Sequence, residues 1–241
     1  MMNNMPILGI IYLIGVLILT FIIFYLLFKQ YLGYKKLKRI EKLQEKSRLF
    51  KEYPNEKIKE FASEIVSHLN KKDDFEMDNL MYDEIIDELE RQILIPIDKD
   101  AKKIIIKYSN QTAISTAISP VAFIDALLIL SRSFIMINEI AKLYGYRPNF
   151  MGELRLFKKI LFNLAFAGAT EILVHHLHDF IGSSILSKLS YHSAQGVANG
   201  ILTARIGIAT IKACRPINYN DNDQSFLKGL TKKIFSTILA K

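Results

Sequence analysis

The chain has 241 residues, 50% of them hydrophobic, with 11 Gly, 6 Pro, 1 Cys and no Trp, which excludes collagen-like, mucin-like and disulfide-scaffold classes. A formal net charge of +8 and a pI near 9.3 stand beside a mean hydropathy of +0.17, and since soluble basic proteins are usually hydrophilic, that pair points to a membrane. Residues 29–51 carry nine Lys or Arg against two Glu, residues 52–100 six against fifteen acids, and residues 101–241 seventeen against seven, an alternation that argues against a uniform nucleic-acid-binding surface, so no nucleic acid is expected as a partner.

From Pro6 to Phe28 runs a stretch without one charge; as a helix it covers roughly 34 Å, enough to span a bilayer. It lacks the basic start and small-residue cleavage site of a signal peptide and passes from Phe28 directly into Lys29, so a retained anchor is expected. The alternative is a core helix buried on all sides, but no other part of the chain is apolar enough to wrap it. Lys29, Lys35, Lys36, Lys38, Arg39, Lys42, Lys46, Arg48 and Lys51 follow the span and none precedes it, which places the bulk of the chain in the cytoplasm. The same collar suits anionic headgroups of a lipid bilayer, with Tyr31 and Tyr34 at interface depth.

Lys35 to Leu69 reads as helix broken at Pro54, and 70–74 as a turn. Tyr82, Ile85, Ile86, Leu89 and Ile93 predict a helix from about Asp78 that stops before Pro96, with Asp98 as the N-cap of the next. In the stretch from Val121 to Tyr144, Asp125, Arg132 and Glu139 recur every seven residues, opposite Phe123, Leu127, Leu130, Phe134, Ile137 and Ala141. That is the layout of an amphipathic helix docked on a core by its apolar face. The competing reading inserts this region, residues 112–137, in the membrane as part of a pore-like or multi-span protein. A further helix runs from about Leu154 through Ile172, carrying Glu171 at a rim or in an ion pair. In the last apolar helix Gly196, Gly200, Thr203, Gly207, Thr210 and Cys214 share one small-residue face, with Arg205 and Lys212 opposite. Such a face permits close helix packing within the domain, or alternatively a groove for a partner or homo-oligomer. Cys214 on it reads as a small buried residue and not a nucleophile.

The phosphate-loop, dinucleotide, nucleophile-elbow and Cys-x-x-Cys motifs are all missing. His175 and His178, with His176 and Asp179 nearby, are the one cluster of metal-ligand types, and two His on a helix turn do not make a site. No cofactor, metal or catalytic residue is therefore expected; the enzyme alternative would use His175, His178 and Glu171. The expected fold is all-α: one N-terminal transmembrane helix at 1–28 (span about 6–28), then a cytoplasmic helical domain. The latter divides into a charged helical linker region at 29–110, a C-terminal helical domain at 111–217 and a tail helix at 218–241.

Several longer motifs lie within residues 115–217: Ala117-Ile-Ser-Pro-Val-Ala-Phe-Ile-Asp-Ala126, Ile140-Ala-Lys-Leu-Tyr-Gly145, Arg155-Leu-Phe157 and Asn163-Leu-Ala-Phe-Ala-Gly-Ala-Thr-Glu171. They continue as Ala194-Gln-Gly196, Gly200-Ile-Leu-Thr-Ala-Arg-Ile-Gly207 and Cys214-Arg-Pro216. This half of the chain resembles the YcjF-type inner-membrane proteins of bacteria, so 111–217 is expected to be a YcjF-like domain. Members of that family carry a long N-terminal region and a pair of spans before the collar, where this sequence shows one span. The resemblance implies a single-pass protein of the bacterial inner membrane, associated with a YcjX-type P-loop GTPase-like partner and acting as a scaffold or effector in envelope stress. It carries over no catalytic residues. Asp125, Arg132, Glu139, Glu171, Gly196, Gly200, Arg205 and Gly207 are the candidate interaction or packing positions.

Overall fold

The computed structural model describes residues 5–71, 75, 77, 80–118, 122–146, 150–168, 191–219 and 223–239, with side-chain placement in these except at 5–11, 23, 26–38, 122, 124, 125, 150, 151, 166–168, 191 and 239. Every regular element among the described residues is helical, and the fold class is all-α.

Helix α1 runs unbroken from Met5 to Glu52; no proline stands between Ile7 and Tyr53 to interrupt it. Its side chains from Tyr12 to Ile22, with Phe24 and Tyr25, are exposed, so this stretch is not the buried core helix that was the alternative to an anchor. Further along, Ile40, Leu43 and Ser47 are buried on one face, and this end of α1 belongs to the domain. Helix α2 (Lys57–Leu69) folds back along it, burying Ile58, Phe61, Ala62, Ile65, Val66 and Leu69. The Phe50 and Phe61 rings meet at 5.1 Å and Lys46 pairs with Glu64 at 3.2 Å. Asn70, at φ +58°, closes α2 with the Lys71 N–H donating to the Val66 carbonyl at 3.0 Å.

The helix expected to stop before Pro96 does not stop. Helix α3 (Ile85–Leu89) passes through one π turn (Glu90–Leu94) into α4 (Ile95–Ile118) as one helical run. A regular α-turn would press the Pro96 ring on the Gln92 carbonyl; the wider turn before it, in which the Ile95 N–H donates to the Glu90 carbonyl, relieves that crowding. Tyr82 is exposed in the turn that precedes α3. Asp98 is consequently not an N-cap: it lies inside α4 and is buried.

Helix α5 (Ala122–Leu143) ends in a turn at Gly145, whose φ is +73°. There the Tyr146 N–H donates to the Ala141 carbonyl at 3.0 Å and the Gly145 N–H to Lys142 at 3.1 Å, a Schellman closure that needs a left-handed residue. A Cβ on Gly145 would also stand 2.2 Å from the His68 carbonyl oxygen, so glycine is required twice over. Helix α6 (Phe150–Gly168) buries Leu156 and Ile160. Helix α7 (Tyr191–Cys214) and α8 (Asp223–Leu239) complete the chain, and Leu227, Leu230, Thr231 and Ile234 make α8 part of the core.

The centre of the domain is α4 against α7. Gly196 faces Ala113 and Ala117, Gly200 faces Ser109 and Ala113, Gly207 faces Ile105, and Arg215 reaches Asp98, so the two helices run antiparallel with their backbones close. The contacts explain why these positions are glycine: a Cβ on Gly196 would come within 2.5 Å of the Ala113 carbonyl oxygen, and one on Gly207 within 2.5 Å of Ile105 Cγ1. Gly200 is more tolerant, since its nearest neighbours are the Ala113 Cβ at 2.9 Å and the flexible end of Ile234 at 3.0 Å. By length and composition α7 is also, from His192 to Cys214, long and apolar enough to cross a membrane, but most of it is buried inside the domain.

The Gly200→Leu and Gly207→Leu variants are expected to lose roughly 1–3 kcal/mol each through overpacking. Gly196→Ala should cost a similar amount because the obstacle is backbone, and Gly200→Ala distinctly less. Thermal unfolding followed by circular dichroism of the detergent-solubilised chain checks the order; a double Leu variant that melts with the parent would show that this face bears no packing load.

Candidate functional site

The residues predicted as candidates do not gather at one place. Arg132 donates from Nη1 to the Gln111 carbonyl at 2.7 Å, and Glu139 accepts the Tyr108 hydroxyl at 2.7 Å with Lys107 at 3.9 Å. Two charged residues of α5 therefore reach α4 beside the apolar face that was expected to dock. Ile137 and Ala141 are buried and Phe134 meets Phe157 edge-on at 5.5 Å, but Phe123 and Leu127 are 72% and 51% exposed and Leu130 is exposed as well. Only the C-terminal half of α5 is seated on the core through its apolar face. Arg132 and Glu139 are long enough to reach α4 from the flank, and a backbone carbonyl and a tyrosine hydroxyl supply the partners that make this favourable. The side chain of Asp125, like Glu171, His175, His176, His178 and Asp179, lies outside the described residues.

Gly196, Gly200 and Gly207 all face α4 of the same chain, so this face is filled from within. Arg205 is half-buried on α7. Cys214 is fully buried, and burial pushes its thiol up to about 12, which leaves it protonated at neutral pH and unreactive.

A cluster that the sequence reading did not identify joins the far ends of four segments. Arg215, in the residue after α7, donates from Nε to Asp98 Oδ2 and Oδ1 at 3.2 and 3.3 Å and from Nη1 to the Ile217 and Asn218 carbonyls, both at 2.9 Å. Its Nη1 also lies 3.6 Å from Glu90 in the π turn. The Tyr144 hydroxyl donates to Asp98 Oδ1 at 2.5 Å. From α1, Gln44 Nε2 donates to the Lys212 and Arg215 carbonyls at 2.9 and 2.8 Å, satisfying the end of α7. Burial raises the Asp98 pKa, with Arg215 and the Tyr144 hydroxyl opposing the shift. Burial, then the neighbouring Asp98, raises the Tyr144 phenol, which stays protonated and serves as a donor. The sequence signals were present in Tyr144 and Cys214-Arg-Pro216, but Asp98 is 117 positions from Arg215 and no local pattern connects them.

Elsewhere, the end of α1 and the start of α2 form a cleft of about 490 Å³ lined by Leu49, Phe50, Tyr53 and Phe61 together with Lys46 and Glu64. Leu49 and Tyr53 are exposed. No group of His, Cys, Asp and Glu suited to a metal ion occurs among the described residues.

Two outcomes follow. Arg215→Met leaves Asp98 buried without its cation and should cost about 3–5 kcal/mol, while Asp98→Asn in that background restores part of the loss; unfolding of the single and double variants in detergent measures it. The second concerns His68, whose pKa is lowered from 6.5 first by burial and then by Arg39, and whose Nε2 is buried without a hydrogen-bond partner. Below pH 6.5 the unfolded chain holds more protons at this site than the folded one, so stability falls as the pH drops from 6.5 towards the lowered folded value. His68→Gln should reduce that acid-side loss, and equal pH profiles for variant and parent would refute it.

Residues 80–239 match the family described as Domain of unknown function (DUF697), a range that also takes in residues 80–110. Among relatives, the chain is 36% identical over 146 residues to a UPF0283 membrane protein of Haemophilus ducreyi, covering 61% of this chain and 43% of the relative. It is 31% identical over 193 residues to one of Glaesserella parasuis, covering 76% and 56%. A Histophilus somni protein of the same name is 37% identical over 155 residues, covering 64% and 43%. The chain thus spans about half the length of the curated relatives it matches, and a YcjF-type resemblance is consistent with the UPF0283 name they carry. No solved structure matches. Because the family match takes in most of the chain, including α4, α5, α7 and the cluster at Arg215, this protein belongs to the DUF697 family.

Proposed function

We propose that the protein is a membrane-anchored helical scaffold or effector that recruits or regulates a P-loop GTPase-like partner of the YcjX type. It sits single-pass in a bacterial inner membrane with the bulk of the chain cytoplasmic, serves in envelope stress, and has no turnover of its own. The observation that carries this is the continuity of α1: one helix exposes an apolar stretch at Tyr12–Ile22 and, without a break, delivers Ile40, Leu43, Gln44 and Ser47 into the domain. The name of the relatives, membrane protein, supports the anchor. The basic collar after the span supports the cytoplasmic orientation. The GTPase-like partner rests on the YcjF-type resemblance. The face offered to it is the acidic edge before and in α3, where Asp83 and Glu84 are exposed and Asp87 is 80% exposed at 3.7 Å from Lys51.

Co-expression with a YcjX-type protein and capture from detergent should recover both chains, and the purified protein alone should hydrolyse no nucleotide. Asp83→Lys with Asp87→Lys should weaken the capture and reduce its dependence on salt; Glu88 is best left, because it holds Arg91 at 2.6 Å. Capture that ignores the reversals places the contact on the C-terminal domain, and turnover that survives purification without the partner overturns the scaffold reading. Alkaline phosphatase fused after Phe150 should be inactive in the periplasm; activity there overturns the single-pass orientation.

A further inference from the structure

Among the described residues, three helices of the bundle carry almost no charge at one end. On α4 the sequence carries no Lys, Arg, Asp or Glu beyond Lys107; α5 has only Asp125 before Arg132; and 189–204, which includes the first half of α7, has none before Arg205. These boundaries coincide in space. Glu139 pairs with Lys107 and Tyr108, Arg132 reaches the Gln111 carbonyl, and Gly207, two residues past Arg205, faces Ile105. On these three helices the last charges therefore lie at the level of residues 105–111 of α4, and beyond them, towards Ile118, the described parts of α4, α5 and α7 carry only Asp125; α8 brings the exposed Lys232 and Lys233 beside Ile234, which packs at Gly200.

Polarity in that end is inverted. Ser109, Thr112 and Thr116 are buried between the helices, with Asn199 Nδ2 donating to Thr116 Oγ1 at 3.4 Å, and Gly196 and Gly200 let the backbones close up. Outside, Ile118, Phe123, Leu127 and Leu130 are exposed. Small and hydroxyl-bearing residues inside with large apolar residues outside is the arrangement of helices packed in lipid, where the surroundings are apolar and association relies on close contact and polar bonds. In water the same surface would be costly.

We propose that this uncharged end, the last turns of α4 with the first halves of α5 and α7, is seated in the headgroup and acyl boundary of the bilayer. The proposal rests on the reading of α1 as the anchor that brings the domain to that bilayer. Lengths allow it: α1 takes about 18 Å of helix from Ile40 back to Phe28, and α4 extends about 30 Å from Asp98 to Ile118, so the apolar end has the reach to meet the surface from which α1 emerges. An Asp in the sequence between Phe123 and Leu127 is tolerated at headgroup level and opposed in the acyl interior, so the proposal has this end immersed without crossing.

The test uses the full chain with Cys214→Ala, reconstituted in phosphatidylethanolamine and phosphatidylglycerol vesicles, carrying single nitroxide labels at Phe123→Cys, Leu127→Cys, Lys103→Cys and Leu17→Cys. All four positions are exposed, so labelling does not disturb the core. Relative accessibility to oxygen over a water-soluble nickel complex is expected to be several-fold higher at 123 and 127 than at 103, and highest at 17. Labels at 123 and 127 that behave like 103 overturn the proposal while a lipid-like 17 leaves the anchor intact; a water-like 17 overturns the anchor reading by itself. Labels shielded from both relaxants mean that protein, a second copy or another chain, covers this end, and a depth at 127 equal to that at 17 means that the region crosses the bilayer. Either of those results also overturns the interfacial proposal.

Discussion

A buried carboxylate and guanidinium are tolerable only if nearly every donor and acceptor they carry is used, because taking both charges out of water costs several kcal/mol per ion. Asp98 and Arg215 meet that condition. The guanidinium directs Nε at both oxygens of Asp98 and Nη1 at two carbonyls of the turn after α7, and the carboxylate gains a second donor from Tyr144. The consequence is positional. Asp98 belongs to α4, Tyr144 ends α5, Arg215 follows α7, and Gln44 of α1 binds the carbonyls beside it. Four segments that are distant in sequence are thus held at one point, and hydrophobic packing alone, which is not directional, would leave their register loose.

The other half of the domain's specificity comes from what is missing on α7. Glycines at 196, 200 and 207 let α4 approach closely, and closeness raises the value of each van der Waals contact along the seam. The seam and the ion pair support one another. A shift of α7 along α4 by one turn would bring side chains into the places where Gly196 and Gly207 now admit Ala113 and Ile105, and would move Arg215 away from Asp98. Each therefore excludes the misregistered packings that the other alone would permit.

Much of this was legible in the sequence where the controlling forces are local. Helical spacing, the break at Pro54 and the single small-residue face of α7 follow from backbone sterics and periodicity within a few turns. The exceptions arise where a distant partner changes the local preference. Pro96 normally stops a helix, but one π turn keeps the chain helical and carries Asp98 inward to Arg215. Asp98 fits an N-cap by type, yet a buried cation is a stronger partner than an exposed N–H. On α5 the apolar face docks at Ile137 and Ala141 as its spacing implies, but the reach of Arg132 and Glu139 to partners on α4, and the exposure of Phe123, Leu127 and Leu130, are encoded by no pattern within α5.

With α1 as the proposed anchor, its continuity gives the domain a different relation to the membrane from that of a tethered module. A flexible linker lets a domain sample many orientations and keeps no memory of the anchor's tilt. Here the helix remains regular through the basic collar, and Gly33 is the one glycine between Lys29 and Glu52. Ile40, Leu43 and Ser47 fix its rotation on the core, and Gln44 ties it to the carbonyls at the end of α7. A rotation or tilt of the apolar half cannot be absorbed before it reaches those contacts without breaking backbone hydrogen bonds of the helix. The same continuous helix therefore couples its apolar half to the Asp98 and Arg215 pair, and through Lys51, which lies 3.2 Å from Glu90, to the π turn and the acidic edge that precedes it.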